Sequence, residues 1–354
     1  MLLHDHEDFG DLLAVVAREQ AIDPGLVEKD YWIMHGLWGL QQLGFTFELK
    51  GGTSLSKGHG LIHRFSEDID ILIHPNVDGL PTGRNQDKAA QIEARRSFYD
   101  SLARRIAIAG FTEVERDEAF DDPRMRSAGI RLRYASRNPL PEGVKEGILL
   151  EAGFDQVAPN RPCLISSWAY DKAAASGLAD LTDNRAADVP CYEPGYTLVE
   201  KLQTISTKFR RHLQDGSMPQ NFLRHYYDVY CLLGDPGVQA FIGTEPYVAH
   251  KEARFPRADN KVIAENPAFS LPDRRAPCRP GEDRRRDSPH RDPPGCSRWR
   301  STPGAARAGG PGARAAARAR GPRRHRSAIG EDRREGQAWR AAAESFDQLS
   351  RSSM

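Results

Sequence analysis

Apolar and polar residues repeat along the first 272 residues with periods that predict helices and strands in a definite order. Apolar residues three or four positions apart predict helices at 9–20, 24–43, 87–108, 197–208 and 221–233. Alternating or β-branched runs predict strands at 45–49, 66–74, 111–117, 129–135 and 147–152. Helices followed by a small mixed sheet and then by a helical half indicate an α+β protein.

Capping residues set several of these boundaries. Asp23 before Pro24 predicts an N-cap with proline at the first helical position, and Gly44 is expected to end that helix. Thr197 is expected to cap the fourth helix, with Glu200 at the capping-box position.

The composition changes abruptly after about residue 272. Residues 273–354 contain 20 Arg, no Lys, 10 Asp or Glu and only three Ile, Leu, Val or Phe residues. So few apolar residues cannot offset the entropy of ordering the backbone, which predicts a disordered tail. Translation of a GC-rich gene in the wrong frame would give the same bias, and a basic nucleic-acid-binding arm is a third interpretation. We predict that the part of the chain before this tail divides into two domains, at 1–190 and 191–272.

The net charge and the cysteines exclude several protein classes. The formal net charge is +1, and because the tail carries about +10, the first 272 residues carry about −9. A nucleic-acid substrate would therefore need a local basic groove. The five cysteines are scattered and lack metal-ligand spacing, which argues against a disulfide framework or a zinc site. No apolar run approaches the roughly 20 residues that cross a bilayer, and the N-terminus does not resemble a signal peptide. We expect a cytoplasmic protein without a membrane partner.

Two glycines follow the strand predicted at 45–49 and open a short helical turn. Gly51 and Gly52 allow the backbone to approach a phosphate closely, and the helix N-terminus that follows offers unpaired N–H groups. Thr53 and Ser54 add hydroxyl donors. A Gly-Gly pair alone is more often a tight turn, so the interpretation depends on the carboxylates that follow.

Those carboxylates are Asp68 and Asp70, two positions apart on the next predicted strand. Residues at this spacing project from the same face of a strand. Paired carboxylates suit Mg²⁺, and two such ions can bind the attacking and leaving oxygens of a phosphoryl displacement. Glu67 points to the opposite face and is interpreted as structural. Glu151, on the strand at 147–152, is the candidate for a third metal ligand.

The combined strings LKGGTSLSK at 49–57 and RFSEDIDI at 64–71 resemble the polymerase-β-like nucleotidyltransferase superfamily, and in particular its AbiEii/AbiGii toxin branch. The resemblance extends from about residue 25 to 270. Fifteen residues separate Gly52 from Asp68, more than the minimal spacing in the superfamily. The resemblance implies a nucleotidyltransferase domain at 1–190 and a helical domain that completes the active site.

The resemblance also implies roles for residues of the second half. Lys201 would contact the nucleotide phosphates, and Asp228 would position Lys201, substrate or metal. Lys57 would bind the triphosphate together with the Gly-Gly turn. From the sequence alone, Lys201 could equally be an exposed helix lysine, and Asp228 could pair with Arg224, four residues earlier.

The expected function is Mg²⁺-dependent transfer of a nucleoside monophosphate from an NTP to a hydroxyl group. RNA or tRNA is one candidate acceptor that the resemblance implies, and an antitoxin encoded by an adjacent gene is the implied partner. The biological role would be that of a toxin in a type IV toxin–antitoxin or phage-defence system. A two-metal phosphodiesterase or nuclease, and a non-catalytic GTP- or NTP-binding protein, remain alternatives.

Overall fold

The computed structural model describes residues 1–83, 85–155 and 158–270, which form a seven-stranded mixed sheet and several helices. The helices are α1 Phe9–Gln20, α2 Pro24–Gln42, α3 Gly51–Thr53, α4 Ala89–Arg105, α5 Trp168–Ala175, α6 Pro194–Asp215, α7 Leu223–Leu233, α8 Pro236–Phe241 and α9 Glu245–Arg254. The strands are β1 Phe47–Lys50, β2 Asp68–Ile73, β3 Phe111–Asp117, β4 Ser127–Tyr134, β5 Ile148–Gly153, β6 Asn160–Ile165 and β7 Ala186–Tyr192.

The predicted class, a mixed sheet followed by a helical half, is confirmed, and two elements have the predicted bounds. These are α1 and β3. The Asp23 cap is also as expected, since its side chain accepts a hydrogen bond from the backbone N–H of Gly25 at 2.8 Å. The sheet is larger than predicted, because β6 and β7 extend it on one side. The prediction for residues 273–354 lies outside the described residues, and the domain boundary at 190/191 stays a prediction.

The predicted start of α6 is wrong. The helix begins at Pro194 after the N-cap residue Glu193, so Thr197 lies inside its first turn and its hydroxyl donates to the Glu193 carbonyl. Proline at the first helical position lacks the N–H that would otherwise be unpaired there, which explains the earlier start. Glu200 pairs with Arg254 of α9 at 2.9 Å rather than completing a capping box.

The strand order β3-β4-β5-β2-β1-β7-β6 places β2 and β1 at the centre of the sheet. The pairs β2–β5 and β1–β7 are parallel, and the other neighbours are antiparallel. Both central strands therefore have a partner on each side, which holds the residues at their ends in a fixed register.

One face of this sheet packs against α2. Ile69 and Ile71 of β2 are fully buried in a core that includes Tyr31 and Leu37. A Cβ on Gly36 of α2 would lie 3.5 Å from the Ile69 side chain. Because residues alternate along a strand, Asp68 and Asp70 must project from the opposite face.

A second hydrophobic core joins α6 and α7. Leu202, Val229 and Leu232 belong to it, and so does Leu55, which follows the Gly-Gly turn. The turn is thus attached to the helical half by apolar contacts, and it is attached to the sheet because it continues directly from β1. Of the helices in the described residues, none combines the length and apolar character that crossing a bilayer requires.

Candidate active site

The short helical turn α3, which follows β1 directly, leaves no room for a side chain at either of its glycines. Gly51 has a φ of +73°, in the left-handed region, and a Cβ at this position would overlap the Asp70 carboxylate. A Cβ on Gly52 would lie 2.5 Å from Ser66 Oγ. The backbone of the turn therefore lies directly against β2 and the residues that precede it.

The structure brings the three predicted carboxylates to one face of the sheet. Asp70 is in register with Glu151 of β5 on one side and with Lys50 of β1 on the other. Residues directly opposite each other in neighbouring strands project from the same face. Asp68, two residues before Asp70, shares that face. The result is a row of Lys50, Asp70 and Glu151 with Asp68 next to it.

Burial and mutual repulsion raise the pKa of two of these groups. The pKa of Asp68 rises to about 6 because of burial and the charges of Glu67 and Asp70. The pKa of Glu151 rises to about 7 because of burial and the charges of Asp70 and Asp68. A bound cation would offset the repulsion among the carboxylates, which is the electrostatic character expected of a metal site.

The donors of this cluster suit Mg²⁺, which prefers oxygen ligands. Within the described ranges, no group of three or more His, Cys, Asp or Glu side chains is arranged to hold a single metal ion. Asp68, Asp70 and Glu151 are the residues that could hold the metal, and their ligation stays a prediction.

A buried ion-pair cluster connects the helical half to the segment before β2. Asp228 of α7 is fully buried and accepts hydrogen bonds from Arg64 Nε at 2.7 Å and from Arg64 Nη2 at 2.8 Å. Lys201 Nζ of α6 lies 2.8 Å from the Oδ2 atom of Asp228. Although burial raises it, these two cations hold the pKa of Asp228 below its ordinary value. Asp228 therefore fixes Lys201, and it pairs with Arg64 of the segment before β2 rather than with Arg224 of its own helix.

Comparison with known proteins identifies the family. A family model described as nucleotidyl transferase AbiEii toxin, type IV TA system, matches residues 33–291. This span includes the carboxylate face, the Gly-Gly turn and the Lys201–Asp228 pair. The chain belongs to the AbiEii nucleotidyltransferase toxin family. Membership implies a toxin of a type IV toxin–antitoxin system and hence an antitoxin partner. Among curated proteins, none matches the chain.

Two predicted nucleotide-binding hydroxyls of this AbiEii-family protein, those of Thr53 and Ser54, belong to fully buried residues. Thr53 Oγ1 donates to the backbone carbonyl of Asp68 and also contacts Ser66 Oγ. Ser54 is buried beside the Cys191 thiol of β7. Thr53 thus ties the turn to β2, whereas Ser54 Oγ is buried and has no hydrogen-bond partner within the described residues. The backbone N–H groups of the turn are therefore the donors that best fit a phosphate.

Lys57 has a buried partner. Its Nζ lies 2.5 Å from Asp30 Oδ1 of α2 and donates to the Ser166 carbonyl at 2.9 Å. The Asp30 side chain is only 2% exposed, so this pair anchors the end of the turn to α2. Contact between Lys57 and a triphosphate stays a prediction, and it would require the ion pair to open.

Sequence reasoning left several basic residues near the site unassigned, among them Arg64, Lys50 and Lys145. Arg64 begins the second motif string, yet its partner Asp228 is 164 residues away, so no local pattern pairs them. Lys50 precedes Gly51, and its charge lowers the pKa of Glu151. Lys145 is exposed and acts in the same direction on Glu151 and Asp68. The position of Lys50 next to the Gly-Gly motif was the one feature of the sequence that could have placed any of these residues in the site.

Proposed function

We propose that this protein is a Mg²⁺-dependent enzyme that transfers a nucleoside monophosphate from an NTP to a hydroxyl group and releases pyrophosphate. The observation that carries the proposal is the close approach of Gly51 to Asp70, which is itself in register with Glu151. It joins an N–H-rich turn suited to a triphosphate with carboxylates suited to Mg²⁺. A nuclease would have less need of the turn.

The residues of the site divide the chemistry among them. The oxygen of the acceptor hydroxyl attacks the α-phosphorus and its proton is released to solvent. The bond to the oxygen that bridges the α- and β-phosphates breaks, and pyrophosphate leaves with the electron pair. Bound Mg²⁺ supplies neutralisation of charge on the phosphate oxygens, and Asp68, Asp70 and Glu151 would hold it. Lys201 would stabilise the negative charge that develops on the leaving group. Asp228 and Arg64 fix Lys201, so the cation is in place before the reaction begins.

Family membership supports a proposal for the acceptor and for the biological setting. We propose that the acceptor is RNA, with tRNA as the first candidate, and that the protein acts in the cytoplasm as a toxin in phage defence. An antitoxin from the neighbouring gene would oppose it. The acidic character of residues 1–272 means that RNA would have to bind at a local basic surface.

Pyrophosphate release from GTP, CTP, ATP and UTP with a total RNA pool tests the proposal and gives the base preference. Lys201→Ala should reduce kcat/KM for the NTP by roughly 10²–10³-fold, the effect of removing one preorganised charged group. Lys201→Arg should retain part of the activity, since it keeps the charge with a bulkier, forked group.

Two results would contradict the proposal. RNA cleavage without any need for NTP would indicate a nuclease. Tight NTP binding without pyrophosphate release would indicate a non-catalytic nucleotide-binding protein. An alanine variant of Lys201 with parental kinetics would remove the helical half from the chemistry, leaving the role of the carboxylates to be decided by their own variants.

A further inference from the structure

Positive charge continues along the helical half beyond Lys201. Lys208 lies seven residues further along α6, on the same side of the helix, and Arg224 is in the first turn of α7. In the part of the chain that the structure describes, no carboxylate lies within 4.0 Å of the charged group of Lys208 or Arg224. Lys201 shares its one carboxylate, Asp228, with Arg64. The cluster of Lys201, Lys208 and Arg224 therefore carries charge that the protein does not neutralise.

A buried histidine lies within this cluster. His225 is 6% exposed, and its Nε2 atom is 2.9 Å from Lys208 Nζ. An ammonium group can only donate, so Nε2 must be the acceptor and Nδ1 must carry the proton. Within the described residues, Nδ1 has no hydrogen-bond partner although it is buried. His225 thus holds a buried, unpaired N–H donor in cationic surroundings, and a ligand would reach this donor only if the neighbouring side chains moved.

The surroundings keep this ring neutral. The pKa of His225 falls to about 3 because of burial and the charges of Lys201, Lys208 and Arg224, and Asp228 opposes the shift. Burial and the charges of Arg224 and Lys201 also lower the pKa of Lys208. An anion with several acceptor oxygens would relieve the repulsion and pair the Nδ1–H. Phosphate has these properties, and Arg and Lys are its usual ligands in proteins.

We propose that Lys208, Arg224 and the Nδ1–H of His225 form a phosphate-binding subsite adjoining Lys201. Two sources of phosphate fit this chemistry, namely the terminal phosphates of an NTP and a backbone phosphate of an acceptor RNA. The choice of these two sources rests on the proposed transfer reaction. The subsite itself is inferred only from the charges and contacts of Lys208, Arg224 and His225. The subsite would extend the phosphate-binding surface from the predicted catalytic lysine along α6 and α7.

Binding measurements with Lys208→Gln and Arg224→Gln test the subsite. Arg96→Gln is the matched control, because it removes a partly exposed cation from α4. The probes are inorganic tripolyphosphate, an NTP, the matching NMP and a single-stranded RNA of about 12 nucleotides. Each subsite variant should weaken tripolyphosphate binding about tenfold, as expected for one charge-assisted contact, while the control should not.

The pattern across probes identifies the source. Weaker NTP binding with unchanged NMP binding would assign the subsite to the terminal phosphates. Weaker RNA binding, with a slope of log affinity against log salt smaller by about 0.7 per variant, would assign it to the RNA backbone. The proposal is overturned if every probe binds Lys208→Gln and Arg224→Gln with an affinity within twofold of its affinity for Arg96→Gln, and both variants have the melting temperature of the parent.

Two variants of His225 test the unpaired donor. An Asn amide can present a donor near the Nδ1 position, whereas a Gln amide reaches the Nε2 position that Lys208 contacts. His225→Asn should therefore keep tripolyphosphate affinity within about threefold of the parent, and His225→Gln should lose more. Better binding by the Gln variant would show that His225 only anchors Lys208. Tripolyphosphate binding needs no turnover, so failure of the proposed transfer reaction would appear separately as a parent that releases no pyrophosphate.

Discussion

Replacing Asp228 with Asn probes the ion-pair cluster that connects the two hydrophobic cores. The carboxylate is fully buried, and its Oδ2 atom accepts from both Arg64 Nη2 and Lys201 Nζ at 2.8 Å. In Asn, an NH₂ group replaces one oxygen, so at least one cation would face a donor. The variant keeps the shape of the side chain and loses its charge and one acceptor, leaving two cations in a poorly solvated site.

The magnitude follows from leaving these two cations without their carboxylate. Removing one partner of a buried ion pair lowers the free energy of unfolding by about 3–5 kcal/mol. For a domain of this size, that corresponds to a fall in melting temperature of roughly 6–20 °C. Urea titration at pH 7 and thermal unfolding both measure it. The single variants Asp228→Asn and Arg64→Met, combined with the double variant, would give the coupling energy between the two residues.

Arg224→Gln is the matched control for stability. Arg224 lies four residues before Asp228, the spacing of a helical ion pair, but the structure pairs Asp228 with Arg64 and Lys201 instead. The Arg224 variant should change the free energy of unfolding by less than about 0.5 kcal/mol. A loss below about 1 kcal/mol for Asp228→Asn, or a larger loss for Arg224→Gln, would refute the assignment of partners.

Two further predictions concern the carboxylate face and the turn. The pKa of Glu151 is raised to about 7 from an ordinary 4.5. The folded protein therefore binds this proton more tightly than the unfolded chain does, and the free energy of unfolding decreases as pH rises from 4.5 to 7. In urea titrations, the gain in free energy of unfolding from Glu151→Gln should therefore be about 1–3 kcal/mol larger at pH 8 than at pH 5. An effect of the substitution that does not depend on pH would show that the charge of Glu151 does not destabilise the fold. Gly51→Ala should lower the free energy of unfolding by at least about 1 kcal/mol more than Gly216→Ala, which has the same φ of +73° but nothing within 4 Å of the new Cβ. Equal losses would show that crowding against Asp70 is unimportant.

The sequence predicted elements that are determined by local pattern. The bounds of α1 and β3 follow from periodicity, and the alternation in β2 correctly separates its apolar face from Asp68 and Asp70. The strand pairing then placed Glu151 opposite Asp70, as expected of a third carboxylate. The element bounds and the alternation depend on residues a few positions apart, which is the range over which strand and helix periods act, whereas the pairing of Asp70 with Glu151 joins distant parts of the chain.

The two strands that were missed, β6 and β7, violate the local rules. Pro162 of β6 faces Pro190 of β7 in the sheet register, and proline normally argues against a strand because it lacks the N–H donor. Asp188, also in β7, has a φ of +52°, which interrupts the alternating pattern. These two strands are held by pairing with each other and by the pairing of β7 with β1, which a single-sequence pattern does not contain.

The partners of the basic residues were equally hidden, because they are distant in the chain. Lys57 pairs with Asp30, which belongs to the helix predicted at 24–43 and to which the sequence assigned no role in the site. Arg64 and Asp228 meet across 164 residues. A buried charge needs a partner, but the sequence does not say which charge will be buried.

Pyrophosphate release by Asp70→Asn in Mg²⁺, with total RNA as acceptor, tests the central claim most directly. Asn keeps the shape of the side chain that lies against Gly51, so the turn should stay folded while a metal ligand loses its charge. Asp11→Asn, at an exposed position of α1, is the control. We predict a rate below about a tenth of the parent's, with an unchanged melting temperature and a parental rate for the control. Transfer by Asp70→Asn at more than a tenth of the parental rate, or equal transfer by the parent with and without EDTA, would contradict the assignment of this face as a metal-dependent nucleotidyltransferase site.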